Sequence, residues 1–182
     1  MAQNALLLCG SLQKSFNDYD WLGNGVYFWE NDPLRALEWA VKNKKKNPAV
    51  IGAVIDLGCC LSLLERGAVK LLQSSYAQLL NDAEKTGLNL PKNTAETHGH
   101  KLIRRLDCAV FEKLHETVKA SKADTYDTVI GAFMEGRPAY EGTEIAEQSH
   151  IQICVRNIEC IKGYFLPLGF EEEKRRYLKD NA

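Results

Sequence analysis

Residues His150-Ile151-Gln152-Ile153-Cys154-Val155-Arg156 alternate without a break between an apolar set and a polar or small set. Successive side chains of a strand point to opposite faces, so Ile151, Ile153 and Val155 form one row and His150, Gln152, Cys154 and Arg156 the other. Helical periodicity would scatter these rows, and the chain is therefore committed to a sheet with one packed face and one polar row. Further strands are expected at Val50–Leu57, bounded by Pro48 and Gly58, at Thr128–Phe133, and at Cys160–Phe165 before Pro167.

Helical spacing separates these strands. Asn31-Asp32-Pro33 offers a cap with proline at the first helical position, and Leu34, Leu37, Ala40 and Val41 then predict a helix to about Lys45. The cations Lys42, Lys44, Lys45 and Lys46 fall in its last turn, where the helix dipole favours them. Two more stripes, Val69/Leu72/Tyr76/Leu79/Leu80 and Leu102/Leu106/Val110/Leu114/Val118, mark residues 59–123 as a helical insertion that packs on the sheet, with a loop from Gly87 to Gly99 between them. Met134 to Gln148 holds Gly136, Pro138 and Gly142 and reads as a surface loop, and a charged helix starts near Phe170. At 182 residues, 45% hydrophobic and 26% charged, the chain suits one α+β domain.

Charge and cysteine usage narrow the partners. The formal charge of -1 gives no global field for phosphate backbones, although it leaves nucleic acid open as a substrate. No apolar stretch approaches the roughly 20 residues that cross a bilayer, and Met1–Asn4 carries no positive n-region, so a cytoplasmic location is expected. Six cysteines, at 9, 59, 60, 108, 154 and 160, show no Cys-x-x-Cys spacing, and no metal site is expected. Reduced, mostly buried thiols are the expectation, with Cys59-Cys60 at a strand end.

The most unusual segment is Gly23-Asn24-Gly25-Val26-Tyr27-Phe28-Trp29, followed by a helix with Arg35 and Trp39. Two glycines around one polar residue let backbone approach a flat ligand that the following rings then cover; the same pattern also suits a core strand entered through a tight turn. This segment resembles the second motif of the ADP-ribosyltransferase superfamily, in its diphtheria-toxin and poly(ADP-ribose) polymerase branch. Ser149-His150-Ile151-Gln152-Ile153 is similar to the late strand of uncharacterised bacterial members. The resemblance covers about the first 57 residues and residues 127–166, and it implies a split antiparallel β core and NAD as substrate.

By that resemblance Tyr27 would pack on nicotinamide, with Gly23, Asn24 and Gly25 as its turn and Trp39 as the opposing aromatic. His150 would belong to the same cofactor site. Gln152 would stand where the family carries its catalytic glutamate, and Arg35 near the family's small hydroxyl residue. A glutamine carbonyl orients ribose hydroxyls but carries no charge for the oxocarbenium-like transition state, so a carboxylate would come from Glu147 or Glu144 in the preceding loop. The segment Asn4–Ser15 is similar to the one that follows the family's His-Gly-Ser/Thr strand. That strand is expected to be missing here, which would weaken dinucleotide binding; His98-Gly99-His100 repeats its letters in a loop. The implied function is ADP-ribosyl transfer from NAD to an unknown acceptor, as in bacterial toxins or defence effectors. The alternative is a catalytically degenerate fold that binds a nucleotide or a protein partner. For Arg156, a phosphate contact and a salt bridge are both open.

Overall fold

The computed structural model describes residues 12–43 and 48–181. Cys9, Lys44, Lys45, Lys46 and most of the Asn4–Ser15 segment lie outside the described residues. The elements are β1 (Val26–Trp29), α1 (Pro33–Lys42), β2 (Gly52–Ile55), β3 (Cys60–Ser62), α2 (Arg66–Thr86), β4 (Asn93–Thr97), β5 (His100–Arg104), α3 (Arg105–Ala120), β6 (Thr128–Phe133), β7 (His150–Val155), β8 (Ile161–Phe165) and α4 (Phe170–Asp180). The chain is α+β. Its main sheet has the order β1-β7-β6-β3, antiparallel except where β3 runs parallel to β6, and two further ribbons pair β2 with β8 and β4 with β5.

The alternating strand is the centre of the main sheet. Strands β1 and β6 pair with both edges of β7, and a separate apolar cluster packs on each of its faces, so the polar row is not a solvent face. One row packs with Val26, Val155, Ile153 and Cys160. The other row carries Cys154, which packs with Leu22, Leu61, Ala68, Phe111, Leu114 and Val129, so α3 and the first turns of α2 lie on that face. His150 and Gln152 are each only 7% exposed, which corrects the expectation of a solvated polar row.

The segment 59–123 differs from a purely helical insertion. Cys60–Ser62 joins the edge of the main sheet beside β6, and Asn93–Thr97 pairs with His100–Arg104 across a turn in which His98 and Gly99 both have positive φ. In α2 the packed side runs through Ala68, Leu72 and Ser75, whereas Val69, Tyr76 and Leu80 of the expected stripe are exposed. Helix α1 begins as expected: the Asp32 carboxylate accepts from Arg35 N at 2.9 Å, and Pro33 occupies the first turn. No helix among the described residues is long and apolar enough to cross a membrane.

The glycine turn before β1 is held by protein on every side. Arg156 Nη1 donates to Asn24 O at 2.9 Å and to Glu112 Oε1 at 2.7 Å, and the same carboxylate oxygen accepts from Asn24 N at 2.8 Å. Arg156 is therefore in a salt bridge. Gly23 has φ +79°, and a Cβ there would stand 2.5 Å from Glu112 Oε1; a Cβ on Gly25 would overlap Cys154 Sγ and lie 2.8 Å from Val155 O. The glycines are needed so that the turn can close on Cys154 and Glu112. Gly25→Ala is expected to destabilise the protein by about 1–3 kcal/mol, through overpacking against fixed backbone. An unchanged urea midpoint would show that the turn has room to move.

Candidate functional site

Strand register places three of the expected site residues, Tyr27, His150 and Gln152, on one face. Tyr27 lies opposite Cys154, and Trp29 opposite Gln152, while Gly131 and Phe133 of β6 lie opposite Gln152 and His150. Tyr27, Trp29, Gln152 and His150 therefore share a face. Glu30 N donates to Ile151 O at 3.0 Å, so the adjacent Trp29–Gln152 pair is a non-hydrogen-bonded one, in which side chains approach most closely.

Tyr27 itself is engaged with the protein. Its ring packs against the cluster around Leu22 and Cys154, its hydroxyl accepts from Leu22 N at 2.8 Å, and it donates to Gly23 O at 2.6 Å. Burial, above all, drives its pKa far above the ordinary phenol value, so the group is a fixed brace for the glycine turn. Trp39 meets Trp29, with ring centroids 6.0 Å apart and planes at 48°, one pleat along from Tyr27. The expected Tyr27–Trp39 sandwich is thus replaced by a Trp29–Trp39 pair, because residues two apart on β1 share a face and α1 comes down over the later one.

The polar row of β7 forms a hydrogen-bonded chain. His150 Nδ1 lies 2.7 Å from Gln148 O, an acceptor only, so Nδ1 carries the proton and donates. Nε2 is then the acceptor, and Gln152 Nε2 donates to it at 3.0 Å. Burial, with Arg35 adding its positive charge and the Gln148 bond opposing, lowers the His150 pKa and keeps the ring neutral. The chain fixes the Gln152 carboxamide and leaves its Oε1 buried without a partner among the described residues, as are Trp29 Nε1 and Arg35 Nε. Above His150 the Trp21 ring stacks at 6.2 Å, and the Arg104 guanidinium covers Trp21 at 3.7 Å.

A second polar group joins this row from α1 and from the loop after β6. Arg35 Nη2 donates to Glu135 Oε2 at 2.5 Å, with both side chains under 10% exposed, and Arg35 Nη1 lies 3.4 Å from Glu38 Oε2. Gln148 Nε2 donates to the same Glu38 oxygen at 3.0 Å. Arg35 therefore occupies the centre of a buried charge cluster, where the family resemblance would put a small hydroxyl.

Of this cluster Glu135 and Gln148 line a cleft of about 260 Å³, with Lys42, Thr97, His98, Leu102, Gly136, Arg137 and Glu147; Tyr27, Trp39, His150 and Gln152 line neither it nor the recess outside it. An outer recess of about 500 Å³ shares His98, Arg137 and Glu147 and adds Tyr140. Glu147 is exposed at the rim and lies 3.3 Å from Arg137 Nε, while Glu144 lines neither space. The thiol of Cys154 is pushed up to about 12 and that of Cys108 to about 11, chiefly by burial, which removes both as nucleophiles. Among the described residues no cluster of three or more His, Cys, Asp or Glu side chains could hold a metal ion.

Sequence reasoning missed Glu135 and Gln148, since nothing local marks a pairing between residues 100 apart such as Arg35 and Glu135. A carboxylate at the exit of an apolar strand, Phe133-Met134-Glu135-Gly136, was the one available signal. No family model, no curated protein and no solved structure matches this chain. Removing one member of a buried pair strands the other, so Arg35→Met is expected to cost about 3–5 kcal/mol in urea unfolding, and the double variant Arg35→Met/Glu135→Leu markedly less than the sum of its singles. Additivity within about 0.5 kcal/mol would contradict a coupled pair.

Proposed function

We propose that the cleft binds NAD and that the domain transfers ADP-ribose from it, in the manner of the superfamily that Gly23–Phe28 and Ser149–Ile153 resemble. The observation that carries this reading is the hydrogen-bonded chain from the cleft wall at Gln148 through His150 to Gln152, the position of that family's catalytic glutamate. The carboxamide oxygen of Gln152 and the indole N–H of Trp29 are buried and line neither recess, so the contacts open to a dinucleotide come from the cleft residues themselves. The outer recess, about 500 Å³, falls within the roughly 300–1,000 Å³ common for small-molecule pockets, and the inner one, about 260 Å³, falls just below it. Arg137, His98 and Lys42 place cationic or polarizable groups where phosphates would enter.

A second reading is favoured by Tyr27. Its hydroxyl is spent on the Leu22–Gly23 backbone and its ring on the apolar cluster, as suits a non-catalytic nucleotide-binding member of the same superfamily. Calorimetry with NAD followed by an assay for released nicotinamide separates the two. Binding at roughly millimolar or tighter, about 4 kcal/mol, is expected, with Arg137→Ala weakening it by about tenfold, or 1.4 kcal/mol. Release of nicotinamide marks the transferase, binding without release marks the module, and no heat of binding removes both.

A further inference from the structure

We infer that Glu135, held by Arg35, is the catalytic carboxylate of this site, in place of the loop glutamates Glu147 and Glu144 and of Gln152. The inference rests on the NAD reading above. Cleavage of the nicotinamide–ribose bond places positive charge on the sugar carbon and ring oxygen, and a fixed anion beside them is the most effective stabiliser. Gln152 cannot supply that charge. Glu147 stands in solvent at the rim with Arg137 beside it, where water screens its field. Glu144 is away from both recesses.

Glu135 meets the requirement in each respect. Its backbone carbonyl accepts from Gln148 N at 2.9 Å, which ties it to the residue that holds His150. It leaves β6 at the end that faces His150, since Phe133 is the register partner of His150. Arg35 fixes Oε2, while Oε1 accepts no hydrogen bond among the described residues, and the side chain lines the inner cleft. Arg35 is shared between two carboxylates, Glu135 and Glu38, so it does not fully neutralise Glu135.

A purely structural pin would look different. Burying an ion pair costs as much desolvation as it returns in attraction, so stability alone favours either apolar residues or a fully bonded network. This pair is neither: Arg35 Nε is buried without a partner and one Glu135 oxygen is left to the cleft. Half-bonded polar groups beside a cleft are where function is concentrated.

With water as acceptor the reaction balances. The bond between the ribose anomeric carbon and the nicotinamide nitrogen breaks, and its electron pair leaves with neutral nicotinamide. The water oxygen bonds the anomeric carbon, and its proton passes to Glu135 and then to solvent. The products are ADP-ribose, nicotinamide and one proton.

The test compares wild type, Glu135→Gln, Glu144→Gln and Glu147→Gln in NAD binding by calorimetry and in nicotinamide release. Glu135→Gln is expected to lower kcat at least about 100-fold with the NAD Kd within about threefold, the scale of a lost charge-stabilising group. Glu144→Gln should match wild type. Because Glu135→Gln leaves Arg35 underpaired, Arg35→Gln/Glu135→Gln is measured beside it, with near-ultraviolet circular dichroism as the check on folding; the same loss of kcat is expected from the folded double variant. Wild-type turnover by Glu135→Gln, a greater loss in Glu147→Gln, or NAD bound by wild type without release would overturn the role of Glu135 while leaving NAD binding in place. Absence of NAD binding by wild type would overturn the underlying reading as well.

Discussion

The structure turns on one constraint: β7 is the central strand and apolar clusters pack on both of its faces, so its polar row is buried. Buried polar groups must be hydrogen-bonded or they subtract heavily from a small net stability. The row meets this demand in order. Gln148 O takes the His150 proton, His150 takes the Gln152 amide, and Gln148 Nε2 reaches Glu38, which in turn faces Arg35. Among the described residues around this row the bonding stops at the end of the chain, at Gln152 Oε1, and at the donors Trp29 Nε1 and Arg35 Nε.

That same burial separates the two ends of the glycine–aromatic segment, which share one face. Tyr27 and the glycines bind inward, to Leu22, Cys154 and Glu112, and serve the fold. Trp29, one pleat later, is the member of the segment that adjoins the polar row and meets Trp39. The chemistry offered by the site thus lies toward the loop after β6, where Glu135 sits, and the turn that carries the sequence resemblance supports it from below.

Much of the fold was legible because local rules and tertiary packing agree. Asp32-Pro33 starts α1, the β-branched run at Thr128 forms β6, and the alternation from His150 gives β7. The β4–β5 ribbon was not legible, because Asn93–Thr97 is polar and mostly exposed and so lacks the alternation that marks a half-buried strand. Its only signal was His98-Gly99, a turn pair with both residues at positive φ. The burial of His150 and Gln152 was likewise hidden, since alternation shows which side chains share a face and is silent on what covers that face. Arg35 and Glu135 are joined only by the fold, and their residue types alone suit any surface pair.

The central claim places a nicotinamide–ribose bond against Glu135 in the inner recess. A crystal structure with a non-cleavable NAD analogue tests it most directly. The account predicts the nicotinamide riboside in the inner recess, with Glu135 as the carboxylate nearest the anomeric carbon. An analogue bound on the opposite face of the sheet, or one whose anomeric carbon lies nearest Glu147, would contradict it.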